Sequence, residues 1–281
     1  MGFDKPLKGV LKLKVVIRAK TGLHIGGAKE NVEIGGIDNI VEKLKVFFPS
    51  EKVNGKDRFL DVPYIPGSSL KGKMRSLLEW IEKPQYNDTN NFDNTKPIAL
   101  APKKEDKRGQ PCSCGKCKIC KLFGAHQAQG QEPVRLRFDD FYPTCDTVKL
   151  WENTLDSGYV EIKVENMINR IKGVAENPRH TERVIAGSEF EGYITLRIFE
   201  DDNPDQFLET LKTGFEMLED DYLGGSGSRG YGRVEIRIES YEYKKVENGK
   251  YEKVKADESV ERAINNQLST FLQRRETGLK C

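Results

Sequence analysis

Twice along this chain the apolar period switches from two residues to between three and four and then back, and that limits the folds open to it. Leu11, Leu13, Val15 and Ile17 alternate with Lys12, Lys14, Val16 and Arg18, the pattern of a half-buried strand. In PYIPGSSLKGKMRSLLEWIE, Leu70, Met74, Leu77, Leu78 and Ile81 share one helical stripe, and Ser68 or Ser69 is placed to cap it. VRLRF (134–138) returns to alternation, with Val134, Leu136 and Phe138 set against two arginines. The second round begins with the strand Ile194, Leu196 and Ile198. A helix follows, opening at Asn203-Pro204 with Phe207, Leu208, Leu211, Phe215 and Leu218 on its stripe, and the round ends in the strand Val234, Ile236 and Ile238.

Two strand–helix–strand units in one chain of 281 residues predict a single α+β domain of ferredoxin-like order. Its core falls at about 8–83, 132–160 and 186–243. That order leaves the activity open. Residues 84–111, polar and rich in Asn, Lys and Pro, read as a flexible insertion. Residues 160–185 read as a long protruding hairpin, and 255–276 as a weakly amphipathic helix. With 46 basic and 44 acidic residues, bulk charge does not draw the chain to nucleic acid, so any basic surface must come from local sorting. No apolar run approaches the ~20 residues of a membrane span, so a cytoplasmic protein without membrane partners is expected.

Four segments could carry chemistry. CSCGKCKIC places Cys112, Cys114, Cys117 and Cys120 just before His126. Soft thiolates at this spacing suit tetrahedral zinc. Because Cys112 and Cys114 are close for two ligands, a Cys3His set using His126 rivals the four-cysteine set. Four or five ligands leave no open position, so the zinc would be structural. GGSGSRGYGR (224–233) offers successive backbone amides with Ser226, Ser228, Arg229 and Arg233 interleaved, either an anion site or a flexible link. Lys71, Lys73 and Arg75 lie on the opening turns of a helix, where the dipole disfavours cations unless an anion binds. LHIGGAKENVEIGGIDN (23–39) puts His24 and Asp38 beside two Gly-Gly pairs, with no second carboxylate or histidine for acid–base work.

The blocks GLHIGG, IGGIDN, YIPGSSLKGKMRSLLE, KVENMINRIKGVAENPRHTERV and DYLGGSGSRGYGRVE, in that order, resemble the RAMP superfamily of CRISPR systems. More narrowly, they resemble the repeated backbone subunit of the type III-A (Csm) interference complex. The resemblance spans about residues 8–243, excluding about 42–60 and 84–131. It implies a modified RNA-recognition, ferredoxin-like palm with a hairpin thumb at 160–185. It also implies copies stacked head to tail on guide CRISPR RNA with other Csm subunits, and metal-dependent cleavage of complementary target RNA at regular intervals.

The family's cleavage aspartate carries over onto Asp38, with Mg²⁺ or another divalent cation. Guide contacts carry over onto His24, Lys71, Lys73, Arg75, Gly225, Ser226 and Arg229, and thumb contacts onto Met167, Arg170, Pro178, Arg179 and Arg183. Family members usually place Pro after the Asn or Ser that follows the aspartate; here Asn39 is followed by Ile40. A non-cleaving guide-binding scaffold is therefore one alternative, and a guide-processing endonuclease using His24 as base is another.

Overall fold

The alternating stretch at 11–17 forms β1 (Leu7–Ala19) in the computed structural model, which describes residues 4–26, 39–53, 56–84, 91–125, 132–155 and 158–274. There follow β2 (Lys43–Val53), β3 (Lys56–Pro63), α1 (Gly67–Glu79), α2 (Lys118–Phe123), β4 (Leu136–Phe138), β5 (Tyr142–Pro143) and α3 (Cys145–Thr154). Next come β6 (Glu161–Ile168), β7 (Ala175–Arg183), β8 (Glu189–Phe199), α4 (Pro204–Asp220), β9 (Val234–Glu247), β10 (Lys250–Val254) and α5 (Glu258–Gln273). The architecture is mixed α/β. An antiparallel sheet runs β10-β9-β1-β8-β4, with β5 also against β8.

Register explains the core. Leu11 and Leu13 lie opposite Leu196 and Ile194 on β8, while Ile17 lies between Phe190 and Ile236, and all are buried. That face is covered by α1, α4 and α5, which pack in sequence on one another, with α1 against β4 and α4 and α5 against β9. Alternation sends the intervening residues to the other face. There Lys12 stacks 3.8 Å over the Tyr193 ring, and Lys14 bridges Glu191 and Glu239 at 2.9 Å each. No helix among the described residues is long and apolar enough to cross a membrane.

Local chemistry sets the helix starts. Asn203 caps α4 by accepting from the amides of Asp205 and Gln206, with Pro204 in the first turn. α1 starts differently from the serine cap expected: no side chain caps it from Pro66, and Asp140 accepts from the Gly67 amide at 2.8 Å instead. A Cβ at Gly67 would sit 2.6 Å from the Asp139 carbonyl oxygen, so a remote loop occupies the place of a local cap.

The stretch around 42–60, which the resemblance leaves out, forms a β2–β3 hairpin, paired from Lys43↔Pro63 to Val53↔Lys56. Three further expectations change. Arg135 is not on an exposed face; it is buried and forks onto Asp202 at 3.0 and 3.1 Å. Within 91–111, residues 98–101 are anchored while 103–111 are exposed: Ile98, Ala99 and Ala101 are buried, and the amides of Ile98 and Ala99 donate to the carbonyls of Glu82 and Glu79 at the end of α1. The tail helix has a full apolar stripe of Val260, Ala263, Ile264, Leu268 and Phe271, and Phe271 meets Phe215 of α4 edge-on at 5.3 Å.

Candidate nucleic-acid interface and metal centre

The β1 strand ends at Ala19, and the residues after it form a seam between two other segments. Leu23 pairs with Val184 beyond the end of β7, their amides and carbonyls exchanging bonds of 3.0 and 2.8 Å. On its other side, the Gly225 amide donates to the His24 carbonyl at 2.8 Å, and the Gly232 amide to Gly22 at 2.9 Å. The hairpin base, His24 and the glycine loop are thus joined by main-chain bonds.

His24 is buried, with Nδ1 2.8 Å from the Glu182 carbonyl oxygen. Since a carbonyl only accepts, that nitrogen carries the proton. Glu182 is itself buried; its carboxylate accepts from the Val41 amide at 3.0 Å and pairs with Lys43 at 3.7 Å. The Glu182 amide donates to the Asn39 carbonyl at 2.9 Å, and Asn39 bridges Thr181. Gly26 bridges Val41. Asp38 lies outside the described residues; the described residues Gly26 and Asn39 are both bound into this seam.

Gly224 shows how closely the pieces meet. It has φ +79°, and a Cβ there would stand 2.2 Å from the His24 carbonyl oxygen. We expect Gly224→Ala to cost at least about 2 kcal/mol from backbone strain plus displacement of His24. Urea unfolding reads the stability, and weaker binding of single-stranded RNA reads the opened seam.

The other sequence-predicted residues fall into two groups. Met167, Arg170 and Arg179 are exposed on the β6–β7 hairpin, as is Pro178. Arg183 lies at its base, with Nε 2.6 Å from a Glu161 carboxylate oxygen. Ser226 takes the left-handed φ of +60° as it leads into the turn Gly227–Arg229, and the Arg229 side chain reaches Glu165 of the hairpin.

On α1 the three cations differ. Lys71 has no acidic partner among the described residues, and burial, then the neighbouring Arg75, lowers its pKa below the ordinary lysine value. Lys73 pairs with Asp221 at 2.7 Å and stacks 3.9 Å over Tyr222. Arg75 is committed inward: it pairs with Glu79 at 2.9 Å and donates to the Cys112 carbonyl. Sequence reasoning passed over Glu182, Lys163, Glu165 and Tyr231, all of which stand in this region. Only Tyr231, inside the glycine loop, carried any local signal.

The cysteines gather at the far end of α1. The sulfurs of Cys112, Cys114, Cys117 and Cys120 all lie within 4.8 Å of one another, with Cys112–Cys117 and Cys114–Cys120 at 3.8 Å. A tetrahedral ion with ~2.3 Å bonds to sulfur sets edges of roughly 3.8 Å. The four thiols fit such an ion. Amides of Lys116 and Cys117 donate to the Cys114 sulfur, and that of Cys120 to the Cys117 sulfur.

Crowding splits the four thiols. Contact with Cys112 drives the Cys114 and Cys120 pKa values down, while Cys114 and Cys112, respectively, drive Cys112 and Cys117 up. Four thiolates in one shell need a cation to coexist. Cys112 and Cys114 both belong to the cluster, and the turn at Gly115 (φ +70°) brings the chain back so that Cys117 and Cys120 join them. His126 lies outside the described residues.

The RAMP superfamily model matches residues 16–235. A Methanocaldococcus jannaschii protein described as "CRISPR system Cms endoribonuclease Csm3" is 41% identical over 236 residues, covering 82% of this chain and 80% of its own length. A Methanothermobacter thermautotrophicus protein of the same description is 37% identical over 253 residues, covering 83% and 88%. The crystal structure of a Csm3–Csm4 subcomplex in the type III-A CRISPR-Cas interference complex aligns with 93% of this chain and 96% of its own, at 25% identity and a TM-score of 0.46. The match to the superfamily model and the identity to these relatives place this chain in the RAMP superfamily and, within it, in the Csm3 endoribonuclease family.

Proposed function

We propose that this chain is the repeated backbone subunit of a type III-A CRISPR ribonucleoprotein, binding guide RNA and cutting complementary RNA once per copy. The observation that carries this reading is the seam. A protruding hairpin with exposed Met167, Arg170 and Arg179, a histidine-bearing turn and a glycine loop with Arg229 meet at one place, and the Asp38 loop springs from it. The strand order β9-β1-β8-β4, with α1 and α4 as crossovers, supports a ferredoxin-like palm with β6–β7 as its thumb. Residues 84–131 then form an insertion closed by zinc. Its four sulfurs leave no open position, so the metal is structural.

In this reading His24, Lys71, the glycine loop at Gly225 and Ser226, and Arg229 contact the guide backbone, which makes binding tolerant of sequence and sensitive to salt. Lys73 and Arg75 contribute by holding α1 against α4 and the cysteine loop. The thumb splays one target nucleotide. RNA supplies its own nucleophile, so positioning the 2′-hydroxyl in line with its phosphate removes much of the barrier. Asp38 either holds a divalent ion or accepts the hydroxyl proton. The ion, when bound, offsets charge on the phosphorane. Products carry a 2′,3′-cyclic phosphate and a 5′-hydroxyl. Copies associate head to tail, an open-ended contact whose length the RNA sets, alongside other Csm subunits.

The test is to incubate the assembled complex with end-labelled complementary RNA and Mg²⁺. We expect a ladder of evenly spaced cuts; binding without cuts would reduce the chain to a scaffold.

A further inference from the structure

Between the hairpin base and the glycine loop lies a charged cluster of which the reading above uses only Arg229. Tyr231 forms its floor. It is buried, and its hydroxyl has no hydrogen-bond partner. A buried donor left unmet is costly, so such a site favours a ligand able to accept from it. Cations surround the ring: Lys163 Nζ lies 4.4 Å above it and the Arg183 guanidinium 5.2 Å from it. Arg229 reaches in from the loop.

Arg183 is satisfied by Glu161. The other two cations share one anion: Glu165 stands 3.2 Å from Lys163 Nζ and 3.6 Å from Arg229 Nη1. Burial, then the Glu165 carboxylate, pushes the Tyr231 phenol up to about 12, so it remains a donor. Although burial opposes it, Lys163, Tyr231 and Arg229 hold the Glu165 carboxyl below its ordinary value. Glu165 also sits where the hairpin changes register. Pairing passes from Glu165↔Arg179 to Met167↔Glu176, and Asn177 on the longer side has φ +53°. Irregularities of this kind re-aim neighbouring side chains.

We propose that Glu165 is a built-in substitute for an RNA phosphate. In the free chain its carboxylate holds Lys163 and Arg229; bound single-stranded RNA displaces it and takes both cations together with the Tyr231 hydroxyl. The inference rests on the guide-binding reading above and adds a regulating group to that site. A phosphodiester has the charge of a carboxylate and accepts hydrogen bonds in the same way. Partly exposed pairs such as those of Glu165 are each worth only about 0.2–1 kcal/mol, so exchange is easy. The carboxylate draws on the phenol without completing a hydrogen bond to it, and a phosphate that completes one supplies the difference. Glu165 therefore keeps the cations from gathering stray anions and sets a threshold that guide RNA passes.

Anisotropy of a labelled oligouridine with the full-length chain tests this. Glu165→Gln and Glu165→Ala should each bind about fivefold tighter than wild type, the scale of one released surface pair. The gain should vanish in a Lys163→Ala/Arg229→Ala background, because neighbouring groups acting as one unit are not additive. Tyr231→Phe should weaken wild-type binding about threefold. Unchanged or weaker binding by both Glu165 variants, with wild type still binding, would overturn the proposal. So would weaker binding with a lowered Tm, which would make Glu165 a brace. Failure of wild type to bind RNA at all would instead overturn the guide-binding reading.

Discussion

Replacing Asp38 with alanine is expected to lower target cleavage by about three orders of magnitude while leaving guide and target affinity within about twofold. The separation follows from how the loop is anchored. Its flanks are held by main-chain contacts, Gly26 to Val41, the Glu42 amide to the Ile25 carbonyl, and Asn39 to the hairpin base, none of which uses the side chain at 38. On the proposed function, removing that carboxylate is expected to take away chemistry while these described contacts remain, the opposite of what is expected for Gly224→Ala. Asp38→Cys distinguishes the two roles. Rescue by a thiophilic ion such as Mn²⁺ or Cd²⁺ identifies a metal ligand, whereas a proton acceptor gains nothing from the change of ion. Equal loss of binding and cutting would make Asp38 structural, and undiminished cutting would remove it from the mechanism.

The parts legible in the sequence are those whose partners lie within a few residues. Leu11 to Ile17 and Phe207 to Leu218 announce their faces by period, and Asn203 announces its cap. The β2–β3 hairpin was obscured because Pro49 and a charged run break its apolar pattern; Asn54-Gly55, a common hairpin dipeptide, was its one clear signal. Residues 98–101 carry no period because backbone bonds from Ile98 and Ala99 to Glu82 and Glu79, rather than an apolar stripe, tie them down. The site shows the same limit. The sequence singled out His24, Arg183 and Arg229 as nucleic-acid contacts, yet what each touches depends on Glu182, Glu161 and Glu165, ordinary acidic residues on strands whose facing element no local pattern reveals. Arg75 makes the point in reverse: its helix position suggested a phosphate grip, and the fold turns it toward Cys112.

The second large effect concerns the cysteines, and this inward Arg75 is part of its cause. Stripping metal with a strong chelator should release about one zinc per chain and lower Tm by about 10 °C, as a loss of roughly 3–5 kcal/mol does in a domain of this size. α2 has six residues, too short to hold a helix by itself, and its start is fixed by the Cys117 sulfur accepting from Cys120. Without the ion, that turn loses its anchor, and so do the buried Ile119, Leu122 and Phe123. The damage then runs into α1: the Cys112 amide donates to Glu79 at 3.0 Å, and Arg75 spans Glu79 and the Cys112 carbonyl. Protection from hydrogen exchange should accordingly fall first at 91–125 and next in the C-terminal half of α1, while the β1–β8 pairing stays protected. Single serine substitutions settle the ligand set. If all four sulfurs bind, each variant loses zinc and stability. If His126 replaces Cys112 or Cys114, the serine variant of the spared cysteine keeps both. A chain that carries no zinc when purified from zinc-containing medium, and whose Tm ignores the chelator, would show the cluster to be four packed thiols.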